Sequence, residues 1–293
     1  MPELPEVETI RLGLQKYIVG VKPRSGHATI RGKTIENVEV RLKKIVSGDT
    51  KNIIGGKVVD VRRFGKGLVI DLDNNYSIAI HIKLTGQLIY RGGDVPKDLH
   101  QSIKVGGELP NKFTHVIFKL NKGSILYYND LRQFGWIKIV KTEDIKNLPF
   151  FKELGPEFLS NLTMKQFNNI VSSSNTPIKP LLMDQKKMSG VGNIYANDAL
   201  FEARIDPRRK AKDLSGNEIK RLYNAILKVL KMGLEYGGAS DLSFVNALGQ
   251  EGGYQNHFLV YGRKKEPCRV CKSPIQKIKL GGRGTYFCSK CQR

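Results

Sequence analysis

"CRVCKSPIQKIKLGGRGTYFCSKC", residues 268–291, determines how the last part of this chain folds. It contains two Cys-x-x-Cys pairs separated by sixteen residues. Two such pairs bring four thiolates to one tetrahedral Zn2+, and a site closed by four protein ligands is structural. The predicted ligands are Cys268, Cys271, Cys288 and Cys291. Between the pairs, "IQKIKL" and "TYF" are typical of short strands around "GGRG", which predicts a β-hairpin with Arg283 at its tip. A redox role is the weaker interpretation, because one pair would suffice for it.

The charge of the chain indicates a polyanionic partner. Its 293 residues include 49 Lys and Arg against 27 Asp and Glu, a formal net charge of +22. An excess of this size favours nucleic acid ahead of an anionic membrane surface. Residues 262–293 hold ten Lys or Arg and one Glu, so the hairpin is suited to present an Arg to a phosphate or a base. The alternatives are a generically basic surface and a protein-binding zinc ribbon.

The positions of the cysteines favour a metal site over disulfides. All four Cys lie in the last 26 residues, and the chain has no basic segment followed by an apolar core at its start, as a secretory signal would. It has no run of 18 apolar residues that could span a membrane. We therefore expect a cytoplasmic protein with reduced thiols.

The pattern of apolar residues divides the chain into a β-rich part and a helical part. Residues 5–18 have helical spacing, and short β-branched runs between turn residues follow from about 35 to 140. Further helices are predicted at 163–171, 178–188, 193–203 and 218–236. The expected fold class is α+β with several domains, an N-terminal β-sandwich with one helix being followed by a helical domain and the zinc hairpin. The expected boundaries are 1–142 for the β-rich domain, 143–160 for a linker, 161–261 for the helical domain with a polar loop at 237–259, and 262–293 for the zinc finger.

A glycine turn, "GVGNIYANDAL" at residues 190–200, begins one of these helices. It is no dinucleotide-binding fingerprint, since no strand precedes it and the third glycine is missing. We expect Gly190 and Gly192 to let backbone N–H groups face outward, where the helix N-terminus completes an anion site. Asn193, expected at the cap position, would cap the helix or contact a phosphate. The alternative is a purely structural corner between two helices.

The N-terminus, "MPELPEVE", is acidic in a basic chain. Removal of Met1 before a small residue would leave Pro2 with a free secondary amine, close to Glu3 and Glu6. An amine beside carboxylates is suited to act as a nucleophile with an attendant general acid/base. The alternative is a frayed terminus, or a helix whose first turn carries Pro and Glu for structural reasons.

Taken together, these motifs resemble the formamidopyrimidine-DNA glycosylase family from end to end. The resemblance rests on "PELPEVE", "DLRQFG" at 130–135, "GVGNIYANDALF", "GGYQNHFLVYGR" and the four-Cys finger, in that order. It implies a helix-two-turn-helix DNA-binding domain whose loop at 237–259 caps the lesion, and a base-excision repair enzyme for oxidised purines, chiefly 8-oxoguanine and formamidopyrimidines. Such an enzyme forms a Schiff base and then cuts the abasic strand by β,δ-elimination. The alternatives are a non-catalytic damaged-DNA-binding protein and an endonuclease VIII-like glycosylase for pyrimidine lesions, although Leu4 favours the purine branch.

The resemblance also implies roles for individual residues. Pro2 would attack the anomeric carbon of the sugar, Glu3 would act as general acid/base, and Glu6 would support it. Lys66, in "RRFGKGLVI", would meet a phosphate near the lesion. The residues expected to act in or beside catalysis are Pro2, Glu3, Glu6, Lys66 and Arg283. By composition alone, Lys66 would be a solvated loop lysine.

Base flipping leaves a hole in the stack, and the family fills it with side chains. Here the matching residues are Leu84, in "HIKLTG", and Arg132 and Phe134, in "DLRQFG". Arg132 would read the orphaned base, whereas composition alone would place Leu84 and Phe134 in an ordinary core. Phosphate contacts are expected at Lys179, Asn193 and Arg283. We call the three residues that fill the hole the wedge, and His81 is expected near the wedge, in contact with the DNA backbone. The residues expected to bind DNA are Leu84, Arg132, Phe134, Lys179, Asn193 and His81.

Three features depart from the family pattern. Leu84 stands where many members have Met, and Gln133 stands where a basic residue is common, so opposite-base preference is open. Residues 21–31 resemble an insertion that either adds a DNA contact or is a tolerated loop. The expected partner is double-stranded DNA with oxidised or abasic sites, bound by a monomer. One structural Zn2+ is the expected cofactor, and a bacterial-type cytoplasmic location, on the nucleoid, is the expected site of action.

Overall fold

The protein is described by a computed structural model over residues 1–19, 32–96 and 98–293. The predicted insertion at 21–31 lies outside the described residues. Contacts between Cα atoms divide the chain into two compact units. The first unit is Met1–Lys152 together with Tyr236–Gly253, and the second is Glu153–Glu235 together with Tyr254–Arg293. We call Tyr236–Gly253 the returning segment, because it brings the chain back to the first unit.

The first unit is a β-sandwich with one long helix at its start. Its α-helices are α1 (Leu4–Leu14) and α2 (Pro149–Lys152). Its strands are β1 (Ile35–Val40), β2 (Val46–Ser47), β3 (Val58–Phe64), β4 (Gly67–Leu72), β5 (Tyr76–His81), β6 (Gly86–Arg91), β7 (Thr114–Leu120), β8 (Ser124–Asp130) and β9 (Trp136–Lys141). One sheet has four strands in the order β1-β7-β8-β6, and the other has five in the order β2-β9-β5-β4-β3.

The core of this unit lies between the two sheets. Apolar side chains of both sheets belong to a single cluster, for example Ile70 of β4 and Phe118 of β7. The predicted hairpins are present, since β4 pairs with β5 and β7 pairs with β8 in antiparallel register. Alternating β-branched runs separated by tight turns favour this arrangement, because each strand buries one face against the partner sheet. The predicted sandwich is thus confirmed.

Helix α1 packs its apolar side chains into the same core. Val7, Ile10 and Leu14 are fully buried, as their spacing predicts. Pro5 lies in the first turn, where a missing N–H costs no helical hydrogen bond. The predicted helix continued to residue 18, and the chain does continue past Leu14, as one π-helical turn at Gln15–Val19.

The returning segment belongs to the first unit by its hydrogen bonds. Tyr90 N donates to Ala247 O at 2.8 Å, and Ser102 N donates to Gly249 O at 2.9 Å. Its placement differs from the predicted division, in which residues 237–259 form a loop of the helical domain. The sequence did not indicate these bonds because they join positions about 150 residues apart. The predicted linker contains α2 and the boundary after Lys152.

The second unit is helical and ends in the zinc hairpin. Its helices are α3 (Met164–Ser172), α4 (Ile178–Met183), α5 (Asn193–Glu202) and α6 (Gly216–Glu235), and its strands are β10 (Gln276–Leu280) and β11 (Arg283–Phe287). Helix α4 ends five residues earlier than predicted. Asp184 takes an extended backbone, and its C=O accepts from Lys187 and Met188 N in a separate turn. Among the described residues, no helix is both long and apolar enough to cross a bilayer.

Strands β10 and β11 form the predicted hairpin. Leu280 pairs with Arg283 across a two-residue turn. Both turn residues, Gly281 and Gly282, have positive φ, at 57° and 76°, which glycine adopts without strain. Arg283 is exposed beside this turn, as the sequence predicts.

Candidate active site and nucleic-acid interface

The N-terminal residues of the first unit are buried and held in place. Pro2 is buried, and Glu3 and Glu6 are 3% and 1% exposed. Glu3 N donates to Glu6 Oε2 at 2.7 Å, and Ala239 N donates to Glu6 Oε1 at 2.7 Å. Both carboxylate oxygens of Glu6 therefore accept from backbone N–H groups. Glu6 therefore anchors both the N-terminus, through Glu3 N, and the returning segment, through Ala239 N.

The turn between β3 and β4 brings Lys66 to the same helix. Arg63 donates through Nη1 to Gly65 O at 2.9 Å and through Nε to Glu8 Oε2 at 2.8 Å. Although burial raises the pKa of Glu8, hydrogen bonds from Arg11 and Arg63 outweigh it and hold the pKa below its usual value. The ionised Glu8 thus ties the turn to α1. Lys66 is 4% exposed, which argues against the solvated loop lysine that composition suggested.

His81, at the end of β5, is a neutral imidazole. Its ring is 4% exposed and lies edge-to-face with Phe150 of α2, at 4.6 Å between centroids. Burial, and then the positive charges of Lys83 and Lys66, lower its pKa to about 3. Lys83 N donates to His81 Nδ1 at 2.9 Å, so the proton of the neutral ring is on Nε2. His81 can therefore offer an N–H to an acceptor such as a phosphate oxygen.

The predicted wedge residues lie on two turns that share one buried carboxylate. Asp130, at the end of β8, is 0% exposed. Its Oδ1 accepts from Thr85 Oγ1 at 2.5 Å and from Arg132 N at 3.2 Å, and its Oδ2 accepts from Gly135 N at 2.8 Å. Because Thr85 follows Leu84 directly, this carboxylate joins both turns. The structure thus ties the two turns that carry the three predicted wedge residues to one carboxylate.

The exposure of these side chains decides between wedge and core. Phe134 is 53% exposed, and Arg132 is exposed with its guanidinium 4.8 Å from the centre of the Phe134 ring. Leu84 is partly buried. Composition alone suggested core positions for Phe134 and Leu84, and for Phe134 this is wrong. An exposed aromatic ring stacked under a cation is suited to contact bases.

In the second unit, the glycine turn differs in detail from the prediction. Gly192 is the N-cap of α5, so Asn193 is its first helical residue. The predicted cap position of Asn193 is therefore wrong by one residue. Gly190 N donates to Gln185 Oε1 at 3.0 Å, so this N–H does not face outward as expected. Gln185 also donates to Val191 O at 2.8 Å, so its side-chain amide bonds to two successive residues of the turn.

Lys179 connects this turn to the zinc hairpin. It is 0% exposed, and its ammonium donates to Asn193 Oδ1 at 2.7 Å, Gly284 O at 3.0 Å and Thr285 Oγ1 at 2.9 Å. An ammonium has three protons, and these three acceptors suit it. Lys179 thus supports the turn and the hairpin from inside, and its direct phosphate contact stays a prediction.

Two further side chains of α5, which the sequence did not single out, hold the hairpin and the segment that precedes it. Asn197 Oδ1 accepts from Tyr286 N at 2.7 Å. Asp198, fully buried, accepts from the backbone N–H groups of Leu259, Val260 and Tyr261. Burial raises the pKa of Asp198 above its ordinary value, against these hydrogen bonds. The only signal in the sequence was a pair of polar residues inside an otherwise apolar helix.

The four cysteines meet as predicted. Their sulfur atoms all lie within 4.8 Å of one another, with 3.8 Å between Cys268 Sγ and Cys291 Sγ and 3.4 Å between Cys271 Sγ and Cys288 Sγ. Four sulfurs at about 2.3 Å from a tetrahedral Zn2+ would be about 3.8 Å apart, so the cluster fits this ion. Val270 N approaches Cys268 Sγ at 3.4 Å, a contact that stabilises a thiolate ligand.

Three protein-family models match parts of the two units. Residues 1–137 match the formamidopyrimidine-DNA glycosylase N-terminal domain, and residues 154–244 match the formamidopyrimidine-DNA glycosylase H2TH domain. Residues 265–293 match the zinc finger found in FPG and IleRS. Together with the sulfur cluster, this last match confirms the predicted structural Zn2+ site.

Individual relatives cover the whole chain. The formamidopyrimidine-DNA glycosylase of Pelotomaculum thermopropionicum is 40% identical over 100% of this chain and 99% of its own length. The crystal structure of MutM (Fpg) from Thermus thermophilus is similar with a TM-score of 0.83 and 35% identity, over 99% of this chain and 98% of that one. A complex of Lactococcus lactis Fpg with DNA containing an abasic site gives a TM-score of 0.82 and 30% identity, over 99% of both chains. The chain belongs to the formamidopyrimidine-DNA glycosylase family.

Proposed function

We propose that this protein is a DNA glycosylase and abasic-site lyase that removes oxidised purines from duplex DNA. The observation that carries the proposal is the arrangement around α1, which directly follows the buried Pro2 and Glu3. The same helix holds the Lys66 turn through Glu8 and Arg63. A nucleophile, an acid/base and a cation are thus attached to one rigid element. Membership of the family supports the same activity.

In the proposed reaction, the amine of Pro2 attacks C1′ of the damaged nucleoside. The N–C1′ bond forms as the glycosidic bond breaks, and the base leaves with the electron pair and takes up the proton that the Pro2 nitrogen releases. Glu3 protonates O4′ as the sugar ring opens, which leaves a Schiff base on Pro2. Loss of a C2′ proton then expels the 3′ phosphate, and a second elimination expels the 5′ phosphate. Removal of Met1 is a requirement, because an acylated Pro2 nitrogen has no free electron pair.

We assign DNA binding to groups of both units. Lys66 and the Nε2–H of His81 contact phosphates near the lesion, and Leu84, Arg132 and Phe134 fill the space left by the flipped base. In the second unit, Asn193 and Arg283 contact phosphates, and the buried Lys179 positions both of them. Zn2+ keeps the hairpin rigid and takes no part in the chemistry. We expect a monomer that acts in the cytoplasm, bound to the nucleoid.

Borohydride trapping tests the proposal. A duplex with 8-oxoguanine opposite cytosine should give a covalent protein–DNA band with the wild-type protein. Pro2→Gly and Glu3→Gln should abolish or strongly reduce the band, whereas Pro5→Ala, which removes a neighbouring proline, should keep it. Intact mass would verify that Met1 is absent.

A second candidate function is damage recognition without cleavage. It would be favoured if a protein lacking Met1 bound the lesion duplex tightly and gave no band with the lesion or with a preformed abasic site. A lesion panel including oxidised pyrimidines separates the purine specificity from an endonuclease VIII-like one.

A further inference from the structure

The returning segment contacts both the catalytic N-terminus and the wedge turn. At one point, Ala239 N donates to Glu6 Oε1 at 2.7 Å. At another, the hydroxyl of Ser243 donates to Leu84 O at 3.0 Å. All four residues belong to the first unit. The short stretch of backbone from Ala239 to Ser243 thus joins α1, which follows the proposed nucleophile, to the turn that carries Leu84.

The contact with Glu6 tolerates no side chain at the preceding residue. Gly238 has φ of 87°, and a Cβ there would lie 2.9 Å from Phe244 Cε1 and 3.0 Å from Glu6 Cγ. Separations this short require a neighbour to move, and Glu6 is held by two hydrogen bonds. Glycine at position 238 therefore permits the close approach of the returning segment to Glu6 of α1.

The stretch between the two contacts is itself fixed. Gln87 Nε2 donates to Ser243 O at 2.8 Å and to Lys104 O at 2.9 Å. Ser240 Oγ donates to Phe244 O at 2.8 Å and accepts from Gly252 N at 2.9 Å. Phe244 is 4% exposed. Movement of the Leu84 backbone would therefore displace the stretch as a body.

An ion pair holds the other end of the returning segment in place. Lys104 Nζ donates to Glu251 Oε2 at 2.5 Å and also bonds to Ser240 O, and Ser102 Oγ donates to Glu251 Oε1 at 2.5 Å. The hydrogen bonds from Lys104 and Ser102 lower the pKa of Glu251. Glu251 thus stays ionised at neutral pH, and its bonds to Ser102 and Lys104 hold the segment against the sandwich.

We propose that Ser243 is a positioning residue that couples insertion of Leu84 into the base stack to the placement of Glu6 and the catalytic N-terminus. The inference rests on the proposed function, since it assumes that Leu84 is a wedge. Insertion of the Leu84 side chain between bases displaces the turn that carries it. The hydrogen bond from Ser243 to Leu84 O passes this displacement along the backbone to Ala239, and Ala239 N passes it to Glu6. The side chain of Ser243 touches neither substrate nor nucleophile in this scheme.

Ser243→Ala tests the coupling, with Ser243→Thr as the conservative variant that keeps the hydroxyl. Single-turnover excision of 8-oxoguanine from a duplex should fall about three- to tenfold in the Ala variant, the effect of one hydrogen bond. The Thr variant should restore most of it. Borohydride trapping on a single-stranded abasic oligonucleotide, where no stack receives a wedge, should be unchanged. Ser47→Ala, at an exposed serine of β2, controls for loss of a hydroxyl.

A double variant makes the test specific to Leu84. In a Leu84→Ala background, the additional change Ser243→Ala should have no further effect on excision, because the two residues act in series. Additive effects, or an equal loss on the single-stranded abasic substrate, would overturn the inference. Absence of any trapped band with the wild-type protein would instead reject the proposed function itself.

Discussion

Asp130 accepts a hydrogen bond of 2.5 Å from the hydroxyl of Thr85, across two turns that carry different wedge residues. The same carboxylate accepts from Gly135 N, directly after Phe134. Its position at the first residue of "DLRQFG" places it next to the residues it organises. The two turns that carry the proposed wedge residues are therefore joined by one buried carboxylate.

Asp130→Asn should disrupt this arrangement although the two side chains have the same shape. The amide NH2 of Asn cannot accept a hydrogen bond. It would therefore leave either the Thr85 hydroxyl or the Gly135 N–H without the acceptor that the carboxylate provides. We expect a loss of about 2 kcal/mol in stability, since one buried donor without a partner costs about 1–3 kcal/mol. Excision from a duplex should fall at least about tenfold, an effect worth about 1.4 kcal/mol.

Single-turnover kinetics and thermal melting measure the two effects. Asp144→Asn, at an exposed carboxylate, is the control for loss of a charge. Trapping on a single-stranded abasic oligonucleotide should survive in both variants. Equal duplex activity for Asp130→Asn and the wild type would show that the wedge does not depend on this carboxylate.

The pH dependence of stability should carry a contribution from His81. Its pKa is about 3 in the folded protein and 6.5 as a free side chain. Below pH 6.5 the unfolded chain binds a proton that the folded protein does not, so the free energy of unfolding falls as pH falls towards 3. The slope for one such group is about 1.4 kcal/mol per pH unit. His81→Gln removes this slope.

Between pH 7 and pH 5, the stability of the wild type should therefore decrease by about 2 kcal/mol more than that of His81→Gln. Trp136, the single Trp of the chain, is a local probe, since its ring centroid lies 5.8 Å from that of His81. Urea unfolding followed by its fluorescence provides the measurement. His100→Gln, on the surface, is the matched control, and parallel pH profiles for the wild type and His81→Gln would contradict the assignment.

Lys179→Met should lower both the stability of the DNA-free protein and its affinity for DNA. The change leaves the oxygens of Asn193, Gly284 and Thr285 without their donor, and we expect a loss of about 3 kcal/mol. DNA affinity should fall because Asn193 and the hairpin lose their common support. Lys212→Met, at an exposed lysine, is the control. Reduced affinity with unchanged melting would instead indicate a direct phosphate contact by Lys179.

The sequence predicted the features that depend on local spacing. The Cys pairs define the zinc site and the hairpin, and alternating runs such as β4 and β5 define the sandwich. The features it missed depend on bonds between distant positions. Lys179 is buried because acceptors 14, 105 and 106 residues away surround it. The bond from Ser243 to Leu84 spans 159 residues and left no periodic signal. Phe134 is exposed because the turn after Asp130 faces solvent, which composition does not reveal.

Zinc removal should release four reactive thiols and weaken DNA binding. The chain has four Cys, and all of them belong to the sulfur cluster. A thiol-reactive dye should therefore detect no free thiol in the zinc-loaded protein and four after chelation.

Because Arg283 follows the turn of the hairpin that the cluster stabilises, chelated protein should lose a phosphate contact. The slope of log Kd against log salt should then decrease by about 1, as it should for Arg283→Ala with zinc bound. Lys231→Ala, at an exposed lysine of α6, is the control. An unchanged salt slope in both the chelated protein and Arg283→Ala would remove the hairpin from the DNA interface and leave Zn2+ with a role in folding alone.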